Sequence, residues 1–318
     1  MRNSLKAIIL CIALAGCNQN KVIIGNEETA QSASSVDIRI TQEPNFDQDL
    51  LNEQMRVFIS YLEGATGLRY EYVPAINYAH SYLLLVSGKV DLLFAGALGT
   101  SKVMSVNKKI EPIAIEEKSF LNVLLVNQKI FKEVEAALGS NKPLQALKGR
   151  DVVFGSHNSG STFLTPLLEM KSQDVYLNDL KSCIHEPKHE HRAMFLGDSD
   201  HHDFAFMEGT KSNPLMHVPD EARPKVFVGW ISKVKRNHYV TASSNLLRPP
   251  NSVMVSKIQN ALLTLNQPSD GHNKILQALG VTGFELPDGN INSESIEEMA
   301  DFLAILGDNT HCSRENAN

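Results

Sequence analysis

Residues 36–41, VDIRIT, alternate apolar and polar side chains, as a strand with one buried face does. The next segment, 47–63 (DQDLLNEQMRVFISYLE), spaces its apolar residues three and four apart, which predicts a helix ended by Gly64 and Gly67. LRYEYVP predicts a second strand, Ala79–Ser87 a second helix closed by Gly88, and VDLLFAG a third strand. Such alternation predicts an α/β fold on a mainly parallel sheet flanked by helices. FLNVLLVN (120–127) is a further strand. The rhythm then restarts with LQALKGRDVVFG, a helix over about 163–170, DFAFM and KVFVGWIS. Helical spacing returns in 253–265 and 293–306.

The 283 residues that follow position 35 are more than one typical domain holds. Two lobes are expected: 36–120 with 232–308, and 121–231, joined through 120–127 and 225–231, with 309–318 as a tail. A cleft between them, at the carboxyl ends of strands, is where such sheets bind ligands.

One turn stands out within RDVVFGSHNSGSTFLTPLLEM (150–170). Between a short strand and a helix it carries Ser156, Asn158, Ser159, Ser161 and Thr162, with Gly155 and Gly160. One such residue suffices to cap a helix. The surplus has a second reading, because amides and hydroxyls at a helix start suit a small oxyanion. No lysine lies between Arg150 and Lys171, so this is not a Walker-type loop, and there is no G-x-S-x-G elbow.

The amino terminus bears on location. MRNSLKAIILCIALAGC places Arg2 and Lys6 before an apolar run, Ala7–Leu14, too short to span a membrane. Residues 1–16 read as a signal peptide, and Leu14-Ala15-Gly16-Cys17 resembles a bacterial lipobox, so Cys17 is the expected lipid-bearing residue. Residues 17–35 are polar and small, suited to a tether holding the body at a membrane that faces the periplasm or cell exterior. Cys11 leaves with the signal. Cys183 and Cys312 remain, in a compartment that permits a disulfide, with their pairing left open. The net charge of −6 includes Arg2 and Lys6, so the processed chain is near −8, which argues against nucleic acid but not against an anion in a local site.

His185, His189, His191, His201 and His202 crowd a short segment beside Cys183, Asp198, Asp200 and Asp203. Imidazole ligates metals readily, so a zinc- or nickel-binding lipoprotein is a rival reading, although Pro187 opposes a helix joining His185 to His189. No nucleophile–base pair, metal triad or paired carboxylates at catalytic spacing stand out, so no enzyme and no cofactor are expected.

Four stretches, in order, resemble the phosphate/phosphonate-binding family of periplasmic substrate-binding proteins that serve ABC importers. They are TGLRYEYVPAINYAHSYLLLVSGKVDLLFAG, LKGRDVVFGSHNSGSTFLTPLLE, GDSDHHDFAF, and RPPNSVMVSKIQNALLTLNQ with GHNKILQALGVTGF. The resemblance spans about 36–306. It implies the two-lobed type II fold, a small anionic phosphorus ligand, an ABC permease as partner and a monomer. It implies a site of Tyr78 from lobe one and Ser159, Gly160, Ser161 and Thr162 from lobe two. A histidine, His189 or His191, and Glu208 join them by the same resemblance. Read without it, Tyr78 is an ordinary half-buried aromatic and Glu208 a solvated carboxylate. The family's Ser-Thr-Ser-Gly is here Ser159-Gly160-Ser161-Thr162, and its Phe-Gly-Pro is Phe94-Ala95-Gly96-Ala97, departures that bear on the ligand more than on the fold. A ligand sensor without transport would have the same sequence features.

Overall fold

A computed structural model describes residues 36–117, 119–198, 201–236 and 238–287. The signal, Cys17, the tether, the 293–306 helix and the tail lie outside the described residues.

In chain order the first lobe begins with β1 (Ile38–Gln42), α1 (Gln48–Thr66), β2 (Tyr70–Tyr72), α2 (Tyr78–Val86), β3 (Leu92–Gly96), α3 (Ala97–Val106) and β4 (Glu111–Glu116). The second lobe holds β5 (Ser119–Asn127), α4 (Phe131–Leu138), β6 (Asp151–Phe154) and α5 (Thr165–Ser172). It continues through β7 (Ser182–His185), α6 (His189–Asp198), β8 (Phe204–Gly209), β9 (Val226–Ile231) and β10 (Lys235–Arg236). The chain then returns to the first lobe with β11 (His238–Ala242), α7 (Ser252–Thr264), α8 (Asp270–Leu279) and β12 (Phe284–Glu285).

Leu51, Met55, Phe58 and Leu62 form the buried stripe of α1, and Gly67, at φ 70°, ends that helix in the left-handed conformation a side chain resists. Asn77 caps α2 by accepting from the His80 N–H at 2.9 Å, which makes Tyr78 its first residue. β3 is buried throughout. Leu92 and Phe94 pack with Phe58 and Ile258, while Leu93 and Ala95 pack with Tyr78 and Leu85. In lobe two, Leu124 and Val126 of β5 pack with Phe163 and Leu167, and Val123 and Leu125 with Ala193 and Leu196.

The sheets are mixed rather than mainly parallel. Their orders are β12-β4-β11-β3-β1-β2 and β10-β5-β8-β6-β7, with β9 also paired to β5. The predicted β1-β2-β3 unit is parallel, as is β7-β6-β8. The antiparallel members adjoin the two passages between lobes: β4 with β11, β11 with β3, and β5 with β8, β9 and β10. Cys183, on β7, is disulfide-bonded. No helix among the described residues is long and apolar enough to cross a membrane.

Candidate functional site

The hydroxyl-rich turn folds into a π-type helical turn, Gly160–Leu164, that runs straight into α5. Ser159 caps it: its Oγ accepts from the Thr162 N–H at 3.1 Å and from the Thr162 hydroxyl at 2.8 Å, and lies 3.5 Å from Ser161 Oγ. Gly160 opens the turn, buried like its neighbours. A Cβ on Gly155 would sit 1.8 Å from Thr162 Oγ1, so only glycine lets the strand end pass that close. Asn122 of β5 donates from its amide nitrogen to the Ser161 carbonyl, pinning the turn from below.

Tyr78 reaches this turn from the other lobe. Burial raises its phenol pKa further above the ordinary value; Glu43 and Glu208 add to the rise, while Arg192 and the nearby Ser159 hydroxyl oppose it. Tyr78, Ser159, Ser161 and Thr162 are all at least nine-tenths buried. Glu208 is also buried, at 2% exposure, which corrects its reading as a solvated carboxylate. It sits opposite Asn122 in the β5–β8 ladder, and its Oε2 lies 3.9 Å from His238 Nε2, whose Nδ1 is 3.0 Å from Glu116 Oε2. The ladder turns that side chain inward.

The two histidines of the KHEH segment part company. His189, the first residue of α6, is buried and its ring lies against Phe46 and His217, with centroids 5.2 and 4.5 Å away. His191 sits at the rim between Asp47 and Glu186, its nitrogens 3.4 and 3.8 Å from their carboxylates.

The five histidines of the metal reading do not converge. His185 Nδ1 is engaged with the Gly155 carbonyl, 2.7 Å away, and His189 Nδ1 with Arg192. Among the described residues, the metal-ligating types that group closely are Asp47, Glu190 and His191, and Lys188 pairs with the same Asp47 carboxylate.

Several site residues escaped the sequence reading. Arg192 is fully buried, and its Nη1 lies close to Gly155, where the turn begins. Its Nη1 donates to the Glu186 and Pro187 carbonyls at 2.6 and 3.0 Å, its Nη2 to His189 Nδ1 at 2.7 Å, and its Nε has no hydrogen-bond partner among the described residues. A guanidinium only donates, so His189 accepts at Nδ1 and, when neutral, carries its proton on Nε2. Burial lowers the Arg192 pKa to about 10, against the opposing pull of Tyr78, Glu186 and Glu208, so it stays cationic at neutral pH. Glu43, just past β1, is pushed up to about 7 by burial; the Tyr82 hydroxyl at 2.6 Å and the Gly96 N–H at 3.1 Å both donate to it and resist the rise. Tyr82 Oη also lies 3.1 Å from the Asn158 carbonyl, and Lys102 donates to the Asn158 side chain, two more ties between the lobes. The first strand's carboxyl end was a legible place for Glu43. Arg192 had a fainter signal, its position one helical turn beyond His189.

Beside this cluster a cavity of about 630 Å³ opens between the lobes, walled by Glu43, Phe46, His189, Glu208, His217 and His238 among others. Residues 40–290 match the family model described as "ABC transporter, phosphonate, periplasmic substrate-binding protein". The chain belongs to that family. The binding protein is therefore the substrate-binding component of an ABC transporter system in the cell envelope, and not an enzyme. Among solved structures it is similar to PhnD1 from Prochlorococcus marinus in complex with methylphosphonate, with TM-score 0.73 and 21% identity over 84% of this chain and 98% of that one. It is also similar to a binding-protein component of an ABC phosphonate transporter from Pseudomonas aeruginosa, with TM-score 0.66 and 16% identity over 85% and 96%. A third similar structure is Mh-p37 from Mycoplasma hyorhinis, described as a putative thiamine pyrophosphate transporter, with TM-score 0.59 and 11% identity over 84% and 98%. No curated protein sequence matches the chain.

Proposed function

We propose that this binding protein captures a phosphorus oxyanion, a phosphonate, phosphite or phosphate, between its lobes and presents it to an ABC permease while anchored by lipid on Cys17. The observation that carries this reading is the meeting of Tyr78 with the helix start at Ser159, Ser161 and Thr162 in a buried place. A tetrahedral oxyanion needs donors on several sides, and hydroxyls from two lobes supply them. Arg192 alters the expected electrostatics. Its buried guanidinium, near Tyr78, offsets the carboxylates of Glu186 and Glu208.

Charge-assisted hydrogen bonds contribute about 1.5–3 kcal/mol each and a helix terminus roughly 0.3–2 kcal/mol. A few of these, less the cost of closing the lobes, reach the approximately −8 kcal/mol of micromolar binding. A ligand bound in this place holds the lobes together, which is hinge closure.

A thermal-shift panel of phosphate, phosphite, alkylphosphonates, sulfate, Zn²⁺ and Ni²⁺ tests the reading, since a ligand that binds only the native state raises its melting temperature. A phosphorus oxyanion gives the largest shift. A shift with metal and none with any oxyanion would transfer the function to the histidine-rich reading.

A further inference from the structure

Cys183 is disulfide-bonded, yet it is the only cysteine among the described residues. Its partner is therefore Cys11, Cys17 or Cys312. In the proposed function Cys11 leaves with the signal, and the Cys17 sulfur is held in a thioether to lipid, which leaves it no bond for a second sulfur. Cys312 remains.

The surroundings of Cys183 suit a covering segment. β7 is the last strand of its sheet, paired to β6 on one side and to no strand on the other among the described residues, and its Ser182 and Ile184 are exposed. Such an edge invites pairing with other chains unless a helix or loop covers it. Cys183 packs with Leu168 and Leu177, which are only partly buried, and Tyr176 beside them in sequence is 53% exposed. The described chain ends at Pro287, just past β12 at the end of the first-lobe sheet. Cys312 lies 25 positions further on. That length reaches up to about 80 Å when extended, against about 30 Å for the diameter of a small domain. Within it Ile296, Met299, Leu303 and Leu306 recur three and four apart, an apolar stripe with no partner in its own segment.

We infer that Cys183 is joined to Cys312, and that the carboxyl-terminal segment 288–311 passes from lobe one to lobe two and docks beside β7, its apolar stripe on Leu168, Tyr176 and Leu177. Forming the bond takes two protons and two electrons from the two thiols. A disulfide-bearing thiol oxidant of the cell envelope accepts them and becomes a dithiol. The bond closes a long loop, from 183 to 312, and so restricts the unfolded chain. It also fastens the strand behind the oxyanion turn, because His185, two residues beyond Cys183, meets the Gly155 carbonyl at 2.7 Å where that turn begins.

Tryptic mapping of the full chain without reductant tests the pairing. Cleavage after Lys181, Lys188, Lys274 and Arg314 puts the two cysteines in peptides 182–188 and 275–314. These are recovered joined, from protein of monomer mass, and separate on reduction. Cys312→Ser melts about 5 °C or more below wild type, and a reductant brings wild type down to the same temperature. In that variant the amides of 182–185 exchange hydrogen about tenfold faster. Recovery of Cys183 as a free thiol, or joined to a second copy, overturns the pairing. Recovery joined to Cys17 overturns it together with the lipid anchor. Joined peptides with exchange over 182–185 unchanged in Cys312→Ser overturn the docking beside β7.

Discussion

The Tyr78 hydroxyl, on the first residue of a lobe-one helix, lies near the Ser159 hydroxyl that caps the opposing helical turn in lobe two. The two residues are 81 positions apart in sequence and both are buried. An oxyanion bound between them would accept charge-assisted hydrogen bonds from both hydroxyls. Tyr78→Phe keeps the ring in its pocket beside Leu85 and Leu93 but removes one donor. Ligand affinity falls by about 1.5–3 kcal/mol, roughly tenfold or more, while the melting temperature moves little. Calorimetry and thermal melts on the same variant separate the two effects.

Glu43 makes stability depend on pH. Its folded-state value of about 7 lies above the ordinary 4.5, so the native protein holds a proton that the unfolded chain releases between those values. This contribution is complete below about pH 4.5 and is lost as pH rises towards 7. Glu43→Gln removes it. Relative to wild type, the variant gains stability progressively from pH 5 to pH 7.5, by about 1–3 kcal/mol. Urea unfolding at a series of pH values checks the slope.

Arg192 supplies the site's buried charge. Arg192→Met of similar length leaves the Glu186 and Pro187 carbonyls and His189 Nδ1 without their donor. Unfolding free energy drops by about 2–4 kcal/mol and ligand affinity by more than tenfold. Arg192→Lys restores charge but not the fork, so it recovers part of the affinity and little of the stability. Parallel denaturation and titration of the two variants check this.

Lipid attachment is tested outside the described residues. Cys17→Ser removes the only thiol at the lipobox end, and the unlipidated precursor washes from the membrane fraction under high salt. Recovery of the variant in the membrane at wild-type level would assign the anchor elsewhere.

The fold was legible because its signals are local. Apolar spacing in 47–63, the glycine at 67 and the alternation at 36–41 each follow from neighbouring residues, and the helix-start hydroxyls announced themselves by number. Sheet direction was less legible, because β4 and β11 pair across a long excursion through the other lobe. The burial of Glu208 depends on its ladder position opposite Asn122, and that of Arg192 on how α6 packs. Glu208 leaves no mark in its own segment, and Arg192 only its place one helical turn beyond His189. A basic residue beside three histidines and two glutamates looks like any exposed helix face.

In the function proposed above, an oxyanion is held at the helix start of lobe two. Calorimetric titration of an alkylphosphonate into wild type and Ser161→Ala tests it most directly, because Ser161 is buried in that turn and its loss removes a donor without disturbing the Ser159 cap. Binding near the micromolar range is expected in wild type, weakened by about 1.5–3 kcal/mol in the variant. Equal affinity in both proteins would contradict it.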